Sequence, residues 1–285
     1  MTTSSDSFRY ITTLLHRRAA IVIEPGKEYL VESRLAPLAK RHGFVSIDAL
    51  TEAVKRDERG AVASELIEAL TTNETSFFRD IHPFEALKTK VLPDVIAARC
   101  ATKSLRIWCA AASTGQEIYT IAMVIKENFP ELDSWNVQIV GTDLNTAVLA
   151  RARGGLYRQL EVNRGLPAPM LVKYFEREGM DWRVKPALKK LVTFQELNLL
   201  ERWPIFSPPD IVFMRNVLIY FDVATKKEIL TRVRKTMRAD GYLFLGGAET
   251  TMNVDDEYGP VRVGTNTVVF RAKTTIAAEA LRASA

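Results

Sequence analysis

Leu105-Arg-Ile-Trp-Cys-Ala-Ala-Ala-Ser-Thr-Gly-Gln-Glu117 is the stretch on which the fold turns. Leu105 to Cys109 reads as a short buried strand, Ala110 to Gly115 as a tight turn of small residues, and Glu117 opens a helical pattern that runs to Asn128. The unit recurs downstream. Val137 to Gly141 is a strand before a helix over Asn145 to Arg153; Asp210 to Met214 is a strand before a helix over Val223 to Arg238, and Tyr242 to Leu245 is a further strand. Strands alternating with helices imply a doubly wound, Rossmann-like α/β sheet. Val261 to Val263 and Thr267 to Phe270 close as a hairpin across Gly264. Between about 157 and 196 the alternation lapses, and Val184, Val192 and Phe194 fall in short β-like runs, which predicts a small inserted subdomain there.

Upstream the period is helical. Phe8, Ile11, Leu14 and Leu15, then Tyr29, Leu30, Leu35 and Leu38, then Leu50 and Val54, then Val62, Leu66, Ile67 and Leu70 mark four amphipathic helices, broken near Pro25-Gly26, Gly43 and Gly60. The expected organisation is an all-α domain over 1–79, a linker helix over 80–100 carrying Phe84, Leu87, Val91 and Val95, the α/β domain over 101–273, and a loose tail over 274–285.

The 285 residues are 47% hydrophobic and 26% charged, which excludes a disordered or fibrous chain. No apolar run approaches the ~18 residues of a membrane span, and the first seven residues are too polar for a signal peptide. A cytoplasmic protein without membrane insertion is expected. Cys100 and Cys109 form no C-x-x-C pair, so both read as small buried hydrophobes, and His16, His42 and His82 show no ligand spacing; no metal site is expected. The net charge of +5 is uneven, because residues 151–190 hold ten Lys and Arg against four Asp and Glu. Such a block suits an acidic partner or is simply a solvated face.

In an open α/β sheet, ligands bind outside the carboxyl ends of the strands. The loop Ala110 to Glu117 lets a ligand approach the backbone closely, yet it is neither G-x-G-x-x-G nor a Walker loop. That disfavours phosphate-bearing nucleotides and suits a nucleoside without phosphate. Asp143 ends the strand of Gly141-Thr-Asp143, where a carboxylate accepts from two ribose hydroxyls; the alternative is that it caps the next helix, a job Asn145 can also do. Glu117 either favours the helix dipole from the surface or faces a cationic group in the loop. S-adenosylmethionine combines a ribose, an ammonium and a sulfonium. The polar run Arg215 to Asp222 follows a strand, and on its own reads equally as loop chemistry. Ser207-Pro-Pro-Asp210, which invites comparison with amino-methylating nucleic-acid enzymes, precedes its strand and so lies at the wrong end. Phe77 and Phe78 read as core, whereas Arg79, beside a hinge, is suited to grip a carboxylate.

Thr72-Asn-Glu-Thr-Ser-Phe-Phe-Arg79, Trp108-Cys-Ala-Ala-Ala-Ser-Thr-Gly-Gln-Glu117, Gly141-Thr-Asp-Leu-Asn145, Asn198-Leu-Leu200 and Arg215-Asn-Val-Leu-Ile-Tyr-Phe221 together resemble the CheR family, the bacterial chemotaxis receptor glutamate O-methyltransferases. The resemblance runs from about Phe8 to Ala272 in one order. It implies an N-terminal helical domain and an S-adenosylmethionine-binding α/β domain with a small antiparallel β subdomain. By motif position it places Asn73, Thr75 and Arg79 beside cofactor and acceptor, Ala110, Glu117 and Asp143 on the cofactor, and Asn198 and Leu199 near the adenine. Asn216, Val217 and Tyr220 line the same cleft, with Arg79 and Tyr220 as candidates for holding the acceptor. Gln116 stands where the family commonly has a second acidic residue, which leaves Glu117 unaffected.

The implied reaction gives a glutamyl methyl ester and S-adenosylhomocysteine on the cytoplasmic helical region of chemoreceptors, in chemotaxis signal transduction. Two rivals are a nucleic-acid methyltransferase, which lacks aromatics interleaved with its basic residues, and a non-catalytic S-adenosylmethionine-sensing module, which has no use for Arg79 and Tyr220. No nucleic acid is expected as partner, and a monomer is expected. Some members grip a receptor C-terminal peptide with a long glycine-containing loop in the β subdomain. The corresponding turn, Arg177-Glu-Gly-Met-Asp-Trp182, is short, so the tether is not expected to be required.

Overall fold

Ser4 and Ser46 sit just before apolar helical runs, and each side chain accepts a backbone N–H three residues on, which starts a helix there. The helices are α1 (Ser5–Ala19), α2 (Glu28–Arg41), α3 (Ile47–Arg56) and α4 (Ala61–Leu70). Their apolar stripes, among them Ile11, Leu15, Val31, Leu35, Leu50 and Leu66, close on one another as a separate core. The computed structural model of the protein describes residues 3–204, 207–265 and 267–273, so the expected tail over 274–285 lies outside the described residues.

The linker runs as α5 (His82–Ala86), a wide π turn over Leu87–Val91, and α6 (Leu92–Arg99). Leu92 donates back five residues to the Leu87 carbonyl. Pro93 has no N–H to offer Thr89, and its ring crowds that carbonyl, so the ladder widens just ahead of it.

The strands in chain order are β1 (Ser104–Ala110), β2 (Asn136–Asp143), β3 (Leu156–Arg158), β4 (Phe175–Glu178), β5 (Asp181–Val184), β6 (Val192–Glu196), β7 (Ile211–Met214), β8 (Tyr242–Leu245), β9 (Tyr258–Val263) and β10 (Thr267–Ala272). The main sheet has the order β6-β2-β1-β7-β8-β10-β9, parallel from β6 to β8 and antiparallel across β10. The long helices between its strands are α7 (Gln116–Asn128), α8 (Thr146–Gly154) and, further on, a helix over Val223–Thr236. Period-two alternation sends Ile107, Cys109, Ile139, Phe213 and Phe244 into the core on one face, and Trp108, Val212, Met214 and Leu243 into the core on the other. A doubly wound sheet with its strand-order switch between β1 and β7 opens a crevice at the carboxyl ends of those strands.

The small second sheet is antiparallel, in the order β3-β5-β4. It is narrower than the stretch 157–196 expected for it. Val192 and Phe194 lie on β6, which pairs in parallel with β2 from Ile139–Val192 to Asp143–Glu196 and forms an edge of the main sheet. Cys109 is buried as expected, but Cys100 is exposed, because it follows the last turn of α6 at the surface. Below the sheet, Arg99 pairs with Asp210 at 2.7 Å and with Asp240 at 2.6 Å. Asp210 also accepts the Arg106 N–H, which places Ser207-Pro-Pro-Asp210 at the end of the sheet away from the crevice.

Candidate active site

The crevice is an open cleft whose empty space, counted out into the solvent at its mouth, is about 910 Å³. One wall is the loop between β1 and α7. Ala111 and Ser113 hold left-handed backbone, with φ of 56° and 50°, and Gly115 follows at 92°. Two non-glycine residues in this region are a local strain of the kind found where a loop is shaped for a ligand. Gly115 is required twice over, since a Cβ there would meet the Ala152 Cβ at 3.0 Å and the Tyr157 hydroxyl at 3.1 Å. Ala111, Ala112 and Ser113 line the cavity, while Ala110 is buried in β1 behind them.

Asp143 closes β2 at the cavity floor and is 8% exposed. Its Oδ2 accepts the Ser113 N–H at 2.8 Å and its Oδ1 the Asn145 N–H at 2.9 Å, so the carboxylate draws the loop onto the strand end. Asn145, and not Asp143, caps α8, accepting the Val148 N–H at 3.1 Å. Burial pushes the Asp143 carboxyl up from its ordinary range, against the backbone N–H groups of Asn145, Ser113 and Leu144. Glu117, in the first turn of α7, is also pushed up by burial, opposed by the Arg215 guanidinium.

Arg215 was missed as a site residue on sequence. It leaves the end of β7 with its side chain 1% exposed, donates to Glu117 Oε2 at 2.8 Å and Asp80 Oδ2 at 2.7 Å, and reaches the Arg79 carbonyl at 3.1 Å. The position is legible only as the first polar residue after the apolar run Ile211 to Met214. Glu249 was missed as well. It accepts the backbone N–H groups of Asn216 at 2.8 Å and Gly246 at 2.7 Å, fixing Asn216 at φ 58°.

The hinge supplies the opposite wall. Phe77 is fully buried against Tyr157 and Phe175, with ring centroids 5.0 and 5.6 Å away. The Asn73 carbonyl accepts the Ser113 hydroxyl at 2.7 Å, clamping the hinge to the small-residue loop. Arg79 faces the cavity and donates to the Glu74 carbonyl at 3.0 Å. Asn73, Thr75, Arg79, Glu117, Asp143, Asn198, Leu199, Asn216, Val217 and Tyr220 thus line one cavity, joined by Ala19 and Ile21 from the end of α1 and just beyond it. Among the bonds that hold the helical domain in place, Asn198 Nδ2 donates to the Arg18 carbonyl at 2.8 Å, Val22 N–H to the Tyr220 carbonyl at 3.3 Å, and Asn145 Nδ2 and the Thr146 N–H to the Glu68 carbonyl and carboxylate at 3.1 and 2.9 Å.

Among the described residues, the lining holds two arginines and three carboxylates, with no histidine, lysine or cysteine. Among the described residues no group of His, Cys, Asp and Glu has a metal-binding arrangement, and no helix is long and apolar enough to cross a membrane. The basic block is largely engaged within the chain. Arg151, Arg164, Lys173 and Arg183 pair with Glu161, Glu74, Glu127 and Glu178, and Arg153, Arg177, Lys185 and Lys189 donate to backbone carbonyls.

Comparison with known proteins places the chain in context. Residues 6–71 match the family model described as CheR methyltransferase, all-alpha domain, and residues 73–266 match CheR methyltransferase, SAM binding domain. The chain is 40% identical over 278 residues to chemotaxis protein methyltransferase 1 of Pseudomonas aeruginosa, covering 96% of this chain and 100% of that one. It is 39% identical over 278 residues to chemotaxis protein methyltransferase Cher2 of Pseudomonas putida, with the same coverage. The chemotaxis protein methyltransferase of Escherichia coli is 34% identical over 262 residues, 90% of this chain and 88% of its own.

Proposed function

This chain belongs to the CheR methyltransferase family, and on that premise we propose that it transfers a methyl group from S-adenosylmethionine to glutamate carboxylates of chemoreceptors, giving glutamyl methyl esters and S-adenosylhomocysteine. When bound, S-adenosylmethionine supplies a methyl group on a positively charged sulfur. The cavity suits it. Asp143 Oδ2 already accepts the Ser113 N–H and Oδ1 the Asn145 N–H, and the carboxylate keeps lone pairs for the ribose hydroxyls. Glu117 sets negative charge at the loop, Ala111 to Ser113 leave room beside the backbone, and Ile21, Leu144, Leu197 and Leu199 offer apolar wall to a base. The Asn198 amide is committed to Arg18 and to the Leu200 N–H at 3.0 Å, so its part beside the adenine is to hold Leu199 in place.

The observation that carries the reading is the make-up of the acceptor side: arginine and tyrosine, without a histidine, lysine or cysteine base among the described residues. A glutamate side chain, with an unperturbed pKa of about 4.3, is already the nucleophile at neutral pH and needs no base. Arg79 and Tyr220 need only orient it and exclude water, and positioning of this kind supplies most of such a rate. Arg79 spends its bond on a neutral carbonyl, so its charge is available to the acceptor. Incubation with labelled cofactor and receptor-bearing membranes should yield base-labile methanol. Base-stable label would overturn the ester.

The same reading takes the protein as a cytoplasmic monomer. It also dispenses with a receptor tether. β4 and β5 are joined by Gly179 and Met180 alone, with Glu178 opposite Asp181 and Gly179 at φ 63°, which leaves no loop backbone for an added strand. Calorimetry with receptor C-terminal peptides should show no binding; micromolar affinity would overturn this part.

A further inference from the structure

We propose that Arg215 is a positioning residue that couples Glu117, on the cofactor side of the cleft, to Arg79, on the acceptor side, through the hinge residue Asp80. The inference rests on the methyl-transfer reading above. The hinge is an unfavourable piece of backbone, with φ of 49° at Phe78, 67° at Asp80 and 31° at Ile81. Such a segment keeps its shape only when its surroundings over-determine it. On the N-terminal side the determination is firm, because Phe77 is buried and the Phe78 N–H donates to Thr120 Oγ1 at 3.2 Å. Beyond it, among the described residues, the Arg79 carbonyl and the Asp80 carboxylate are tied to the rest of the fold by one group, the Arg215 guanidinium.

That guanidinium also holds Glu117, at 2.8 Å, and is steadied over the Phe84 ring at 5.7 Å from its centroid. Glu117 faces the cavity, so it divides one carboxylate between Arg215 and any cation in the cleft. The more of that charge the cleft takes, the more strongly Arg215 bears on Asp80 and on the carbonyl of the residue whose side chain meets the acceptor. Loading of the cofactor side thereby sets the stance of Arg79.

Asp80 is the place to cut the link. Its side chain is 54% exposed, so its loss leaves no cavity, and glycine and asparagine both accept its left-handed backbone. In Asp80→Gly the affinity for S-adenosylhomocysteine by calorimetry should stay within about twofold of the parent, while kcat on receptor membranes falls about tenfold, as expected when only an orienting contact is lost. Asp80→Asn, which keeps a neutral acceptor, should fall between the two. In the free protein, amides of 78–82 should exchange faster in Asp80→Gly, a readout that needs no turnover. Unchanged kcat beside an active parent overturns the coupling alone, and so does a loss of S-adenosylhomocysteine affinity equal to the loss of kcat. A parent that transfers no methyl to receptors overturns the functional reading and this inference with it.

Discussion

Asp143→Ala tests the cofactor assignment most directly. In the free protein the carboxylate accepts the Ser113 N–H on Oδ2 at 2.8 Å and the Asn145 N–H on Oδ1 at 2.9 Å, with the Leu144 N–H beside them, and it retains lone-pair sites for the ribose hydroxyls. Hydrogen bonds to a charged group contribute ~1.5–3 kcal/mol each, so two lost bonds amount to ~3–6 kcal/mol. At about 1.4 kcal/mol per decade that is roughly a hundredfold to ten-thousandfold. Water entering the vacated space recovers part of it, and the expected floor is a tenfold loss of S-adenosylhomocysteine affinity, read by calorimetry at fixed pH and salt. The variant also strands two buried N–H groups at ~1–3 kcal/mol each, which lowers the melting temperature by about 2–4 °C per kcal/mol in a chain of this size. Thermal unfolding therefore serves as the control that the protein is folded at the assay temperature. Affinity within twofold of the parent, in a folded variant, would refute the ribose role of Asp143.

Arg79→Ala should lower kcat on receptor membranes more than it lowers cofactor affinity, since among the described residues the guanidinium bonds to the Glu74 carbonyl and to no cofactor-side carboxylate; activity equal to the parent's would remove it from the mechanism. Burial holds the Glu117 and Asp143 carboxyls above their ordinary ranges, so the affinity for S-adenosylmethionine should fall away in mild acid sooner than exposed carboxylates would dictate, by up to about one decade per pH unit for each group. Glu117→Gln should flatten that profile, measured by calorimetry across pH. Stability of the free protein has the opposite sign: it should decline as pH rises from the unfolded value of these carboxyls through the raised folded one. Arg99→Ala, at the far end of the sheet, leaves Asp210 buried with less compensation and should cost about 3–5 kcal/mol in chemical denaturation while kcat stays at the parent's value.

How far the molecule was legible in its sequence follows the distance over which each residue acts. Leu105 to Cys109 and Asp210 to Met214 were readable because alternation and length are local, and the sheet they build is the one observed. Asp143 was readable as a strand-end carboxylate, but whether it or Asn145 capped the next helix was not; the structure gives the cap to Asn145 and frees Asp143 for the cleft. Val192 to Glu196 looks in sequence like the other short β-like runs, and nothing local says that its partner is β2 and not the small sheet, since that depends on pairing with Ile139 more than fifty residues upstream. Arg215 is the extreme case. Standing alone it is one polar residue at the start of a loop, while its bonds reach 98 positions back to Glu117 and 135 back to Asp80. A buried guanidinium between two carboxylates is costly unless its charge is well paired; here Nη1 and Nη2 are paired while Nε has no partner among the described residues, so its position is determined by segments that converge only when the hinge, α7 and the sheet have all packed. That dependence is why the residue joining cofactor side to acceptor side could not be read from the motif that contains it.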